Sequence, residues 1–125
     1  MSTTDNRAAF ERFADLFYTR KRVREAFEYL VADTYRQHNP TIPDGPEPAI
    51  EMLTPKFDGS PDSTFEIQRI LVDGDLAMVH VKASGPGRPD AAVADIYRFE
   101  DGRIVEHWDV LQQMPANPVH DHAFF

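Results

Sequence analysis

The chain contains no cysteine, so disulfides, thiolate nucleophiles and cysteine-held metals are excluded. It also lacks any apolar run near the roughly 18 residues that a membrane-crossing helix needs. Its first residues, MSTTDNRAAF, lead into a helical pattern without the apolar stretch of a secretory leader. These absences lead us to expect a soluble, cytoplasmic protein with no membrane partner. Positive charge is scarce as well. Thirteen Lys and Arg against 21 Asp and Glu give a net charge of −8, which argues against a nucleic-acid partner because phosphates would be repelled. The basic cluster RKRVRE, Arg20 to Glu25, reads as a solvated helix face.

What is present is globular in character. At 42% hydrophobic and 27% charged, the 125 residues can support one domain, 1–125, with a real core and a modest pocket. Ala9, Phe10, Phe13, Leu16 and Phe17 recur at helical spacing behind Asp5, a candidate N-cap, and predict a helix over 5–18. A second helix, at about 21–32, carries Val23, Ala26, Phe27, Leu30 and Val31 on one stripe. TYRQHNP then changes character, TIPDGPEP is turn-rich, and PAIEMLT is a short helix. From Phe65 the period becomes two, and FEIQRILV, LAMVHVKA, AAVADIYRFE and RIVEHWDVLQ read as four strands. Helices followed by an antiparallel meander indicate an α+β fold with one sheet packed on the helices. The tail PANPVHDHAFF reads as irregular, with Phe124 and Phe125 either plugging a pocket or forming a loose end.

The last strand interrupts its apolar residues with His107, Trp108 and Asp109 in succession. Hairpin register decides which of them share a face, because a slip of one residue turns every side chain over. In FEDGRI, a two-residue Asp-Gly turn would put Asp95 opposite Trp108. A three-residue loop with Gly102 left-handed would pair Phe99 with Arg103, Asp95 with His107, Val93 with Asp109 and Tyr97 with Val105. The preceding hairpin, LVDGDL, favours the longer loop, because that register pairs Ile67 with Val79 and Phe65 with Val81 on a clean apolar face. Its other face carries Glu66, Gln68, Ile70, Leu76, Met78 and His80. On this reading Asp95, His107 and Asp109 face one side, and Trp108 shares the other with Ile104 and Val110. Such a polar cluster is costly to bury unless it is hydrogen-bonded or faces a cavity.

YRQHNP, the glycine hairpins VDGDLAMVHV and DIYRFEDGRIVEHWDVLQQMP, and the tail ending in FF resemble the SnoaL-like proteins, from about Ala9 to Phe125. These have the nuclear transport factor 2-like superfold. The resemblance implies a cone-shaped, curved antiparallel sheet wrapped around the N-terminal helices, and a homodimer formed through the open sheet face. It also implies polyketide cyclase chemistry, an intramolecular aldol condensation without metal or organic cofactor. In that chemistry an aspartate on the last strand is the general acid/base, assisted by a histidine on the neighbouring strand. Asp109 matches the aspartate; Asp95 stands where the histidine would be, which leaves His107 as a substitute.

Asp109, His107 and Asp95 are therefore the expected catalytic set, since a carboxylate facing an apolar hollow is suited to proton transfer. His80, His38, Tyr35, Tyr97 and Met78 are expected to contact the ligand, with Tyr35 a donor to an enolate oxygen. No histidine pair at i, i+4 suggests a metal helix, and the ligand-like spacing of HDH at 120–122 lies in the tail, so no metal or other cofactor is expected. The Asp–Arg–Asp set of an epoxide hydrolase is not matched, because Arg98 alternates away from Asp95. The expected function is acid/base chemistry (aldol cyclisation, isomerisation or dehydration) on a small apolar ligand carrying a carbonyl. The alternative is a non-catalytic ligand-binding or dimerisation module on the same fold.

Overall fold

The computed structural model describes residues 2–58 and 61–125. Ser2 and Asp5 open the first helix with a capping box: Ser2 Oγ accepts from the Asp5 N–H at 3.1 Å, and the Asp5 carboxylate accepts from the Ser2 N–H at 3.3 Å. The cap is thus Ser2, with Asp5 one turn inside rather than at the cap. Helix α1 (Thr3–Ala14) then widens into a π turn, Asp15–Thr19, closed by the Arg20 N–H on the Asp15 carbonyl at 2.9 Å. Helix α2 (Val23–Leu30) stops short of 32, because Val31 is already extended and opens strand β1 (Val31–Gln37). The sequence pattern did not reveal this strand. Helix α3 (Pro46–Phe57) starts on a proline, which needs no donor at that position.

Strands β2 (Thr64–Asp73), β3 (Leu76–Ser84), β4 (Ala91–Glu100) and β5 (Arg103–Gln113) complete a five-stranded sheet in the order β1-β5-β4-β3-β2. β1 runs parallel to β5, so the sheet is mixed rather than wholly antiparallel. The fold is α+β, as expected, with the helices on one face of the sheet. None of the helices among the described residues is long and apolar enough to cross a membrane.

The core is aromatic. Phe10 and Phe13 are fully buried, and the Phe13 ring lies 5.4 Å from Tyr97 and 5.5 Å from Phe17, centre to centre. Burying each such ring contributes about 1.5–3 kcal/mol. These rings pack on Ala77, Val79, Val81, Phe99 and Ile104 of the inner sheet face.

Both hairpins depart from the expected loops. Asp101 and Gly102 are left-handed (φ +51° and +79°) and form a two-residue turn that pairs Glu100 with Arg103 and Phe99 with Ile104. Continued, that register would turn His107 outward. Instead the pairing resumes at Arg98 with Glu106, leaving Val105 as an extra residue in a bulge. Tyr97 therefore faces His107, and Asp95 faces Asp109. The β2–β3 hairpin does the same. It turns at Gly74 (φ +62°), pairs Asp73 with Leu76 and slips between Ile67 and Arg69. A turn one residue shorter plus a bulge one residue longer restores the expected parity beyond the bulge. Before the bulge the parity is reversed, so Ile104 is fully buried instead of sharing the Trp108 face, and Ile70 packs on the core.

Candidate functional site

A cavity of about 370 Å³ lies between the inner sheet face, the π turn, α2 and α3. Its polar end is built from three places in the chain. β4 and β5 present Asp95, Tyr97, His107 and Asp109 at alternate positions. The end of β1 and the turn after it present Tyr35, Gln37 and Asn39. The π turn supplies Tyr18, whose altered helical phase aims the phenol at the sheet.

These groups form one hydrogen-bonded chain. Tyr18 donates to Asp95 Oδ2 at 2.5 Å. With its single proton committed, Tyr18 accepts from the Tyr97 hydroxyl at 2.8 Å. His107 Nε2 lies 2.8 Å from Asp95 Oδ1, and Nδ1 lies 2.6 Å from Gln37 Oε1. The Gln37 amide is oriented by its neighbours: Oε1 accepts the Asn39 N–H at 3.0 Å, and Nε2 donates to the Tyr35 hydroxyl at 3.4 Å. Nδ1 therefore donates to Gln37. The Nε2–Oδ1 contact then requires a second proton, held between imidazole and carboxylate. Asp109 Oδ2 accepts from Asn39 Nδ2 at 2.8 Å and stands 4.0 Å from His107 Nε2, beyond hydrogen-bond reach.

Asp95 and His107 are only 8% and 6% exposed, and the side chains around them supply their hydrogen-bond partners. Burial raises the Tyr18, Tyr97 and Tyr35 phenols well above the usual tyrosine range, and the Asp95 charge pushes them further the same way. All three are fixed as protonated donors. Tyr35 accepts from Gln37, which leaves its own proton for a ligand oxygen.

Asp95, His107 and Asp109 also offer three ligand atoms within 4.8 Å of one another, enough in number for a divalent cation. In this arrangement, however, Nε2 and Oδ1 point at each other at hydrogen-bond distance, and the remaining Asp95 oxygen is taken by Tyr18. This is the geometry of a proton-sharing cluster rather than of lone pairs aimed at a common centre.

Of the residues singled out in the sequence, Asp95, His107, Asp109, Tyr35 and Tyr97 meet in this cavity. Met78, His80 and His38 do not. Met78 and His80 alternate with the buried Ala77 and Val79 and so face away from the helices, where Arg69 donates to His80 Nδ1 at 2.6 Å. The expectation that they line the pocket assumed that the polar face of the β2–β3 hairpin was the pocket face. In fact core and cavity share the inner face. His38 also turns outward. It stacks flat on Trp108 at 4.8 Å and meets Glu106 at 2.6 Å, while its neighbour Asn39 reaches the cavity. The tail does not plug the hollow: Phe125 sits against Lys82 of β3, its ring 4.7 Å from Nζ. Tyr18 and Gln37 were not read from the sequence. A π turn leaves no periodic signal, and Gln37 follows from a strand that went unrecognised.

Residues 10–107 match the sequence profile of the SnoaL-like domain. Solved structures are similar too. An NTF2-like protein of unknown function from Burkholderia xenovorans LB400 superposes with a TM-score of 0.75 at 18% identity, covering 95% of this chain and 91% of that one. A protein proposed to be a ketosteroid isomerase, from Kribbella flavida DSM 17836, gives 0.73 at 19%, over 96% and 90%. A candidate polyketide cyclase from Bacillus cereus ATCC 10987 gives 0.69 at 25%, over 86% and 74%. The first two likenesses carry the fold alone. Among curated proteins no sequence matches the chain significantly.

Proposed function

The chain belongs to the SnoaL-like domain family, and we propose that it is a proton-transfer enzyme acting on a small apolar ligand that carries a carbonyl. The carrying observation is the asymmetry of Asp109. One carboxylate oxygen is held by Asn39; the other has no partner among the described residues, on a side chain that lines the cavity. Asp109 removes a proton alpha to the ligand carbonyl, and the C–H electron pair moves to the carbonyl oxygen as an enolate. Tyr35 donates to that oxygen with the proton it has left. The His107–Asp95 pair, oriented by Gln37 and Tyr18, keeps the second proton available for return. Return to a different carbon isomerises the ligand; attack of the enolate on a second carbonyl closes a ring; loss of a β-hydroxyl dehydrates it. All three begin with the same step.

That step can be measured without knowing the substrate. The native protein should exchange the α-protons of 2-tetralone for deuterium in D₂O, followed by NMR. Asp109→Asn should lower the rate by about 100-fold or more while the circular dichroism spectrum is retained. An unchanged rate removes Asp109 from the chemistry. A native protein that binds ketones without exchanging them is instead a ligand carrier.

The outer sheet face is proposed as a homodimer interface. It leaves Val110, Leu71 and Leu76 exposed at 65%, 60% and 46%, beside half-buried Trp108 and Ile96. Sedimentation equilibrium should give a dimer, and Val110→Glu a monomer. A monomeric native protein ends the proposal.

A further inference from the structure

The charged side chains lining the cavity are divided by depth. At the buried end stand Asp95 and Asp109 with His107; at the exposed mouth stand Lys56 and Arg88. Between them the walls are apolar, with Phe17, Phe57, Phe65, Leu53, Val81 and Val93. On a chain with a net charge of −8, two cations and no carboxylate among the described residues at the rim are not the background composition.

Arg88 is also held in place. Its Nη2 donates to the Oγ of buried Ser63 at 2.9 Å. Its guanidinium lies over Gly85, where a Cβ would come within 2.7 Å of Nε and Nη2. The Oγ of buried Ser63 would lie 2.9 Å from the same Cβ, so the glycine leaves the space in which Arg88 meets Ser63. Lys56 reaches the rim from the last turn of α3. Neither cation has a carboxylate partner among the described residues. Both are therefore available to a ligand.

We propose that the cavity selects an amphipathic organic anion, whose apolar body fills the aromatic middle and whose carboxylate or sulfonate is held at the mouth by Arg88 and Lys56. This deepens the proton-transfer reading, on which it rests, by naming the substrate class. The anionic end fixes which end of the ligand enters first, so the end away from the anion is delivered to Asp109. A charge at the mouth keeps its hydration on one side, whereas the same charge beside Asp95 and Asp109 would be repelled and desolvated.

The test uses two fluorescent probes with the same apolar body, 8-anilinonaphthalene-1-sulfonate and the uncharged N-phenyl-1-naphthylamine, in binding titrations at low salt. The double variant Lys56→Gln/Arg88→Gln should weaken the sulfonate about tenfold and the neutral probe less than about twofold. About 0.5 M NaCl should do the same to the native protein. Removing two surface charges elsewhere, Arg7→Gln/Arg22→Gln, should change neither probe by more than about twofold. Val93→Trp, which fills the cavity, should abolish the sulfonate's sensitivity to Lys56 and Arg88. Equal effects on both probes, an equal effect of the remote pair, or a sensitivity that survives Val93→Trp each overturn the proposal. None of these readouts needs turnover. Their failure with ketone exchange intact removes the anion alone, and loss of exchange with the anion preference intact removes the chemistry alone.

Discussion

His107 and Asp95 meet at 2.8 Å on the inner face of the sheet, while His38 and Glu106 meet at 2.6 Å on its outer face. Both are histidine–carboxylate pairs with one member on β5. Their surroundings differ. The inner side chains are 8% and 11% exposed, and every remaining hydrogen-bonding position is filled by Tyr18 or Gln37. The outer side chains are 37% and 15% exposed; Glu106 has Arg98 as a second partner at 2.8 Å, and His38 rests on Trp108. The shorter contact is thus the one with substitutes at hand. Water can replace His38, and Arg98 remains if it goes. Inside, no second carboxylate among the described residues stands within hydrogen-bond reach of His107. Burial and the number of alternative partners, rather than separation, decide how much each pair matters.

The largest expected difference follows from removing the carboxylate of each pair. Asp95→Ala removes the shared acceptor of the Tyr18 hydroxyl and His107 Nε2 at a buried site, and should cost about 3–5 kcal/mol in denaturant unfolding. Glu106→Ala leaves its partners in water and should cost under about 1 kcal/mol. If the two variants lose equal stability, the contrast between the faces is broken. If Asp95→Asn recovers most of the loss, the contrast is sharpened to hydrogen bonding rather than charge.

That the inner pair exists at all was legible in the sequence through a parity argument whose left-handed Gly102 is observed but whose loop length and cross-strand pairings are not. Four of the five strands, their order of appearance and the shared face of His107 and Asp109 follow from period-two alternation, and Asp95 joins them through the parity of the hairpin. The Asp101-Gly102 turn is shorter than expected, and Val105 compensates. A bulge depends on how a sheet curves over its helices, and nothing in RIVEHW announces one. His38, His80 and Met78 were misplaced for a related reason. Polar alternation identifies a face without saying whether that face meets helices or water. The SnoaL-like resemblance supplied the fold and pointed to Asp109, but the residues that orient the site lie where local pattern is weakest. Tyr18 owes its aim to a π turn, and Gln37 and Asn39 owe theirs to a strand that pairs in parallel with β5 across some 70 residues of chain.

The smallest expected effect is on the outer face, and it has a pH signature. Glu106 is held below the ordinary carboxyl value of 4.5, first by the Arg98 hydrogen bond and then by His38, against a weaker opposing effect of burial. The other charge at this spot, Glu100, reaches Glu106 only through the shared Arg98, 3.5 Å away. A carboxyl whose folded value is depressed contributes stability that is present above its unfolded value and is lost as pH falls through the folded one. Arg98 is charged throughout, so the contribution needs only the carboxylate. The stability gap between the native protein and Glu106→Gln should therefore be flat, at about 0.5–1 kcal/mol, from neutral pH downward, and should close only below pH 4.5. Chemical unfolding of both proteins at stepped pH reads it directly. A gap that Arg98→Gln leaves unchanged would instead mean that His38, rather than Arg98, carries the outer pair, and that the two faces are more alike than their burial implies.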